Sequence, residues 1–174
     1  MRHILRSQWF ESLDTDQKKL VENAVQLYER ESSLQTGKLV DYSFVVFPMA
    51  KAYEGFLKER FYRLELINKS SFEGKRFRIG RALNPDVHEK SRDEYWLYDD
   101  LSQLCGETMA RELWDAWLVC RNRVFHFYPK ETNMLSLETA KNYLLKLSTA
   151  MESFTECSLD LEKQKVAMGS NYTN

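Results

Sequence analysis

An arginine and a histidine stand close together late in the chain, in a pairing that suits chemistry on a phosphate ester. Arg121 precedes His126 by five residues, and Asn122 lies between them. Arginine binds phosphate through two parallel hydrogen bonds, and histidine transfers protons near neutral pH. Because no carboxylate cluster of the metal-binding type occurs, the pair predicts metal-free cleavage of a phosphodiester. We therefore expect no metal and no cofactor.

The residues around this pair predict a helix over 108–127 that must position it. On an ideal helix Asn122 and His126 are one turn apart and can touch. Arg121 points about 140° away from His126, so it reaches the same site only by its length or through a distortion near the helix end. The last helical turn favours a cation because its carbonyls are unpaired. Pro129 ends the helix, since proline disfavours helical geometry in the residue before it.

This pattern resembles the signature of HEPN domains, which are small helical bundles common in prokaryotic toxins and defence ribonucleases. Arg121-Asn122-x3-His126 is similar to their R-polar-x3-H motif. The extension through Phe127 to Tyr128 resembles the form found in HEPN toxins that are paired with a minimal nucleotidyltransferase antitoxin. The resemblance implies an endoribonuclease of a toxin or antiviral-defence system that works as a two-fold dimer.

A second resemblance covers residues 41–55. This segment is similar to the one that precedes the catalytic motif in RNase LS-type toxins, where a basic residue and a glutamate flank two small or apolar positions before a glycine. Lys51, Glu54 and Gly55 match those positions. The resemblance implies that Lys51 adds positive charge and that Glu54 holds Lys51 or Arg121. An ordinary ion pair on a helix surface is the alternative interpretation.

The predicted reaction removes a proton from the ribose 2′-OH, stabilises the phosphorane and protonates the leaving 5′-oxygen. Arg121 would neutralise the developing charge, while Asn122 would orient His126 or the phosphate. One histidine cannot easily be acid and base in one step, so a dimer that brings two sites into one cleft would supply the second. The predicted catalytic set is Arg121, His126, Asn122, Lys51 and Glu54.

Residues 68–92 interrupt the helical pattern and contain a basic cluster. Such a long connection is usually functional or mobile. The cluster is either a solvated loop or a patch for the RNA backbone, and its density favours the patch. With one residue from the motif helix, the predicted RNA-binding residues are Lys75, Arg76, Arg78, Arg81 and Arg123.

Helical periodicity elsewhere predicts an all-α fold, an antiparallel bundle of four to five helices. The 6 Gly and 3 Pro leave little material for the turns of a β-sandwich or barrel. One domain is expected over residues 1–157, followed by a polar, disordered tail over 158–174. The other predicted helices cover residues 14–35, 41–67, 93–105 and 136–157.

Charge and cysteine content limit the partners and the compartment. The 174 residues include 25 basic and 26 acidic side chains, so a polyanion needs a local patch. Cys105, Cys120 and Cys157 match neither a disulfide framework nor a zinc site. We expect three unpaired, buried thiols and a reducing compartment. With no apolar segment of membrane-spanning length, the sequence predicts a cytoplasmic protein.

A free ribonuclease would be toxic, so the interpretation implies a cognate antitoxin. A protein could occlude the cleft, or a nucleotidyltransferase could add AMP to Tyr128 and block RNA by bulk and charge. The longer RNase LS-like segment favours occlusion. Two other classes stay open, namely a non-catalytic HEPN module that binds RNA, a nucleotide or a protein, and a purely structural bundle.

Overall fold

The computed structural model describes residues 1–34, 38–127, 129 and 133–169, and only the backbone of residues 162 and 164–169. Within these ranges the chain is an all-α bundle, which confirms the predicted fold class. None of the described helices combines the length and apolar composition that a membrane crossing requires. The α-helices are α1 (Gln8–Glu11), α2 (Thr15–Ser33), α3 (Ser43–Arg63), α4 (Lys69–Glu73), α5 (Ile79–Ala82), α6 (Tyr98–Cys105), α7 (Glu107–Trp117) and α8 (Leu137–Gly169).

Local signals in the sequence set several helix ends. The Asp14 carboxylate caps α2 by accepting the N–H of Gln17 at 2.7 Å, and the Ser136 hydroxyl caps α8 by accepting the N–H of Thr139 at 3.0 Å. Between α6 and α7 the chain turns at Gly106, whose φ of 86° is a conformation that glycine adopts without strain. These caps therefore lie where the sequence predicts helix boundaries.

Helix α3 is the centre of the bundle, since it packs against both α2 and α8. Phe56 and Phe61 of α3 are buried, and both rings meet Phe154 of α8 edge to face with centroids 6.2 and 6.0 Å apart. Pro48 lies inside α3 and has no N–H to donate, but the helix begins at Ser43 and continues through it. Burial of α3 on several sides gives the site a rigid wall.

Two stretches are more helical than the sequence predicts. The connection over 68–92 contains α4, α5 and a 3-10 turn at Glu89–Ser91. Helix α8 continues past Cys157 to Gly169, so the tail predicted to be disordered from Ser158 begins as helix. Ser158 is fully buried and its hydroxyl donates to the carbonyl of Thr155 at 3.1 Å, so this polar residue is satisfied within the helix. Residues 170–174 lie outside the described residues.

The prediction of three unpaired cysteines is wrong for two of them. Cys105 at the end of α6 and Cys157 in α8 form a disulfide, with their Cα atoms 6.0 Å apart. Sequence spacing could not reveal this pair because 52 residues separate the two cysteines, and only the packing of α6 on α8 brings them together. Cys120 is a buried free thiol, as expected.

Candidate active site

A cavity of about 830 Å³ opens beside α3, α5 and the turn that follows α7. Six cationic side chains and two carboxylates line it, so its charge favours an anion. Four of the five predicted catalytic residues and three of the predicted RNA-binding residues meet here. The lining charged residues are Lys51, Lys58, Lys75, Arg78, Arg81, Arg121, Glu54 and Glu73, together with His126.

Glu54 of α3 holds Arg121 in this cavity. Its Oε1 atom lies 3.1 Å from Arg121 Nε and accepts the indole N–H of Trp117 at 3.3 Å. The Arg121 guanidinium also lies over the Trp117 ring, 5.5 Å from its centroid. Both charged side chains are one third exposed. Glu54 and Trp117 thus fix the guanidinium from two sides and leave part of it open to a ligand.

The turn that carries Arg121 is π-helical rather than α-helical. After α7, residues Leu118–Asn122 form a wider turn in which the N–H of Arg123 bonds the carbonyl of Leu118 at 2.9 Å. The predicted regular helix through residue 127 is therefore wrong. A π-turn shifts the phase of the side chains and often occurs at functional sites. Arg121, in this turn, and His126, after it, both line the cavity.

His126 lies in the bend beyond the π-helical turn and not in the last turn of a helix. It lines the cavity and is exposed, and its backbone carbonyl accepts the side-chain amide of Asn133 at 3.4 Å. Two apolar side chains attach the bend to the rest of the bundle. Val124 is buried, and the Phe125 ring meets the ring of Phe47 of α3 edge to face, with centroids 5.4 Å apart. The chain therefore leaves helical geometry at residues 123–126, before Pro129.

Other predicted residues lie outside this cavity. Asn122 does not line it, and the helical spacing that would bring it against His126 is broken by the π-turn. Arg123 is exposed and does not line it either. Arg76 lines an adjoining cavity. Tyr128, the predicted modification site, lies outside the described residues.

The basic cluster is divided by its contacts. Arg81 lies 2.8 Å from the carboxylate of Asp93 and donates to the carbonyl of Ser91 at 2.7 Å. Lys75 and Arg78 are exposed, and neither has a carboxylate within 4.0 Å among the described residues. They are therefore the cluster members of this cavity whose charge is open to a ligand.

Trp117, Lys58 and Gly80 line the cavity but are not among the predicted site residues. Trp117 is four positions before Arg121, and Lys58 is seven after Lys51, so helical spacing contained the signal for both. Lys58 donates to the carbonyl of Gly74 at 2.7 Å, and partial burial lowers the pKa of its ammonium. Gly80 touches the Trp117 ring so closely that a Cβ would collide with it, which no sequence pattern indicates.

The one free cysteine among the described residues is not placed to act as a nucleophile at this site. Cys120 is the fully buried residue of the π-helical turn, and burial raises the pKa of its thiol to about 12. A protonated, inaccessible thiol is a poor nucleophile. Within the part of the chain that the structure describes, no group of three or more His, Cys, Asp or Glu residues is arranged to hold a metal ion.

Comparison with protein-family models, with curated proteins and with solved structures found no match to this chain.

Proposed function

We propose that the protein is a HEPN-type endoribonuclease that cleaves RNA without a metal ion, in a toxin or antiviral-defence system. The observation that carries this proposal is the convergence of Arg121, His126, Lys51 and Glu54 in one electropositive cavity. These residues come from two distant segments of the chain. A purely structural bundle would not require their side chains to meet in an open, positively charged hollow.

The reaction is a transesterification. A base takes the proton of the ribose 2′-OH, the 2′-oxygen bonds to phosphorus, and the bond to the 5′-oxygen breaks as that oxygen takes up a proton. The products are a 2′,3′-cyclic phosphate and a 5′-hydroxyl. Arg121 and Lys51 stabilise the charge of the phosphorane, and His126 transfers a proton. Glu54 and Trp117 act as positioning residues for Arg121.

A two-fold homodimer supplies the second proton-transfer group. Each cavity holds one histidine, and cleavage needs both an acid and a base. Phe127, directly after His126, is 88% exposed, and Phe47, which contacts Phe125, is 55% exposed. Exposed aromatic side chains of this kind favour burial in an interface. The proposed interface includes the segment from α7 to Phe127, and the partner's His126 completes the site.

Control by a cognate antitoxin follows from the proposed activity. A protein that occludes the cavity would need negative charge to complement Arg121, Lys51 and the basic cluster. AMP addition to Tyr128 is the other route. Because the substrate is RNA, the proposed compartment is the cytoplasm, where the Cys105–Cys157 disulfide would meet a reducing thiol pool.

The second candidate function is a module that binds RNA without cutting it. The ion pair between Glu54 and Arg121 favours this alternative, because a carboxylate at 3.1 Å competes with phosphate for the guanidinium. In that case the cavity would still attract RNA, but the His126→Ala variant would affect bacterial growth in the same way as the wild type.

Expression in bacteria tests the proposal. We expect expression of the wild-type chain to stop growth, and the His126→Ala and Arg121→Ala variants to permit it at equal protein levels. An Arg6→Ala variant, altered at an exposed position outside both the cavity and the proposed interface, should remain toxic. Growth arrest by all four proteins would assign the effect to something other than this site, and normal growth with the wild type would argue against a toxin.

A further inference from the structure

A second cavity adjoins the first and has no part in the reaction described above. Its volume is about 730 Å³, within the range of roughly 300–1,000 Å³ that is typical of ligand pockets. The two cavities share lining residues from one stretch of chain, Gly74 to Arg81. A ligand that occupies the first cavity can therefore continue into the second along a common wall.

The available charge of the second cavity is positive. Arg76 and Arg78 line it, both are exposed, and neither has a carboxylate within 4.0 Å in the described chain. Asp93 also lines it, but its Oδ2 atom lies 2.8 Å from Arg81 and its Oδ1 atom accepts the N–H of Tyr95 at 3.1 Å. The carboxylate is thus engaged within the wall, and the two arginines face solvent.

An aromatic wall lies beside these cations. Phe77 and Tyr95 meet edge to face, with centroids 6.4 Å apart and planes at 72°. Both are only partly buried. Asp93 holds the backbone of Tyr95 next to the arginines. Aromatic faces beside a cationic groove are the combination that binds single-stranded nucleic acid, because each base has a face that stacks.

We infer that the second cavity is a subsite for a nucleotide that neighbours the scissile phosphate in single-stranded RNA. The base stacks on the Tyr95 ring, which Phe77 meets edge to face, and the backbone phosphate contacts Arg76 and Arg78. This inference rests on the proposed function, because it takes RNA to occupy the first cavity. A free nucleotide has the same chemistry, but the shared wall and the cations of both cavities favour a ligand that spans them.

Binding of a fluorescein-labelled, single-stranded 2′-O-methyl oligoribonucleotide tests the subsite separately from cleavage, because the probe has no 2′-OH nucleophile. Affinity is measured by anisotropy over a range of salt concentrations. We expect Tyr95→Ala to weaken binding by about tenfold and Tyr95→Phe to preserve it. Arg76→Gln should reduce by about one the slope of log affinity against log salt concentration, because one phosphate contact is lost. Arg6→Gln, an exposed arginine outside both cavities, is the matched control and should leave the slope unchanged.

Several results would overturn the inference. The first is a folded Tyr95→Ala variant that binds with wild-type affinity, together with an Arg76→Gln variant whose salt slope is unchanged. The second is a wild-type protein that does not bind the probe at low salt. Displacement of the probe by AMP at an equal concentration would assign the cavity to a free nucleotide instead. If the variants behave as expected but the wild type does not cut unmodified RNA, the subsite stands and the proposed nuclease reaction fails.

Discussion

Glu54 and Arg121 are joined across the site by an ion pair of 3.1 Å, although 67 positions separate them in sequence. Glu54 belongs to the central helix α3, whereas Arg121 belongs to the π-helical turn after α7. Because Trp117, the last residue of α7, donates to the same carboxylate oxygen, Glu54 holds both α7 and the turn that follows it. The geometry of the proposed phosphate-binding group therefore depends on a residue that does not itself have to touch RNA.

The first prediction concerns this attachment. Glu54→Gln keeps an acceptor for Trp117 but removes the charge that holds Arg121. Because the pair is one third exposed, the free energy of unfolding should change by less than about 1 kcal/mol. The kcat for RNA cleavage should fall by about tenfold or more, since misplacement of a catalytic group is costly. Steady-state kinetics and urea denaturation measure the two effects.

Glu59→Gln is the matched control for this variant. Glu59 also lies on α3 and pairs with Arg63 outside the cavity. The kcat of the Glu59→Gln variant should therefore equal that of the wild type. An unchanged kcat in Glu54→Gln would show that Glu54 does not position Arg121.

A second prediction concerns the contact between α5 and Trp117. Alanine at Gly80 would place a Cβ within the Trp117 ring, so α5 has to move away. We expect the variant to lose about 1–3 kcal/mol of unfolding free energy and to lose activity with it. Gly55→Ala is the contrast, because its Cβ would meet the end of the flexible Gln17 side chain at 3.0 Å. Equal stability of the two variants in urea denaturation would refute the close contact.

The sequence predicts the all-α class, but it does not predict the local geometry around the candidate site. Lys51, Glu54, Arg121 and His126 were selected from short motifs, and they line one cavity. The π-helical turn was not predicted, because a widened turn depends on how the folded chain packs around it. Local patterns contain no such tertiary information.

The same limit applies to two other features. The pairing of Cys105 with Cys157 depends on the packing of α6 against α8, which no spacing rule describes. The role of Gly80 depends on a ring that approaches from another element. By contrast, Trp117 and Lys58 follow helical spacing from residues already chosen, so a fuller use of that spacing would have found them.

A third prediction follows from the proposed dimer. Phe127→Glu places a charge on a side chain that is 88% exposed in the single chain. If this residue is buried between two protomers, the variant should sediment as a 20.7 kDa monomer and lose cleavage activity, whereas the wild type sediments at twice that mass. Leu104→Glu, at an exposed position on α6, should remain dimeric. A wild-type protein that is active as a monomer would contradict the two-fold site.

The disulfide gives a fourth prediction. It closes a loop between residues 52 positions apart, for which the chain-entropy relation predicts a contribution of about 4 kcal/mol to stability. Reduction should lower the free energy of unfolding by roughly this amount, and a Cys105→Ser/Cys157→Ser variant should not respond to the reductant. Thiol titration of the unfolded, unreduced protein should find Cys120 alone. Three titrating thiols would show that the pair does not form in solution.

The central claim is tested most directly by incubating the purified protein with 5′-labelled single-stranded RNA in excess EDTA. We expect cleavage that persists in EDTA and leaves 2′,3′-cyclic phosphate ends. His126→Ala and Arg121→Ala should each reduce the rate by about a hundredfold or more, with helical content unchanged by circular dichroism. Cleavage that EDTA abolishes and Mg²⁺ restores, or either variant retaining most of the activity, would contradict the account.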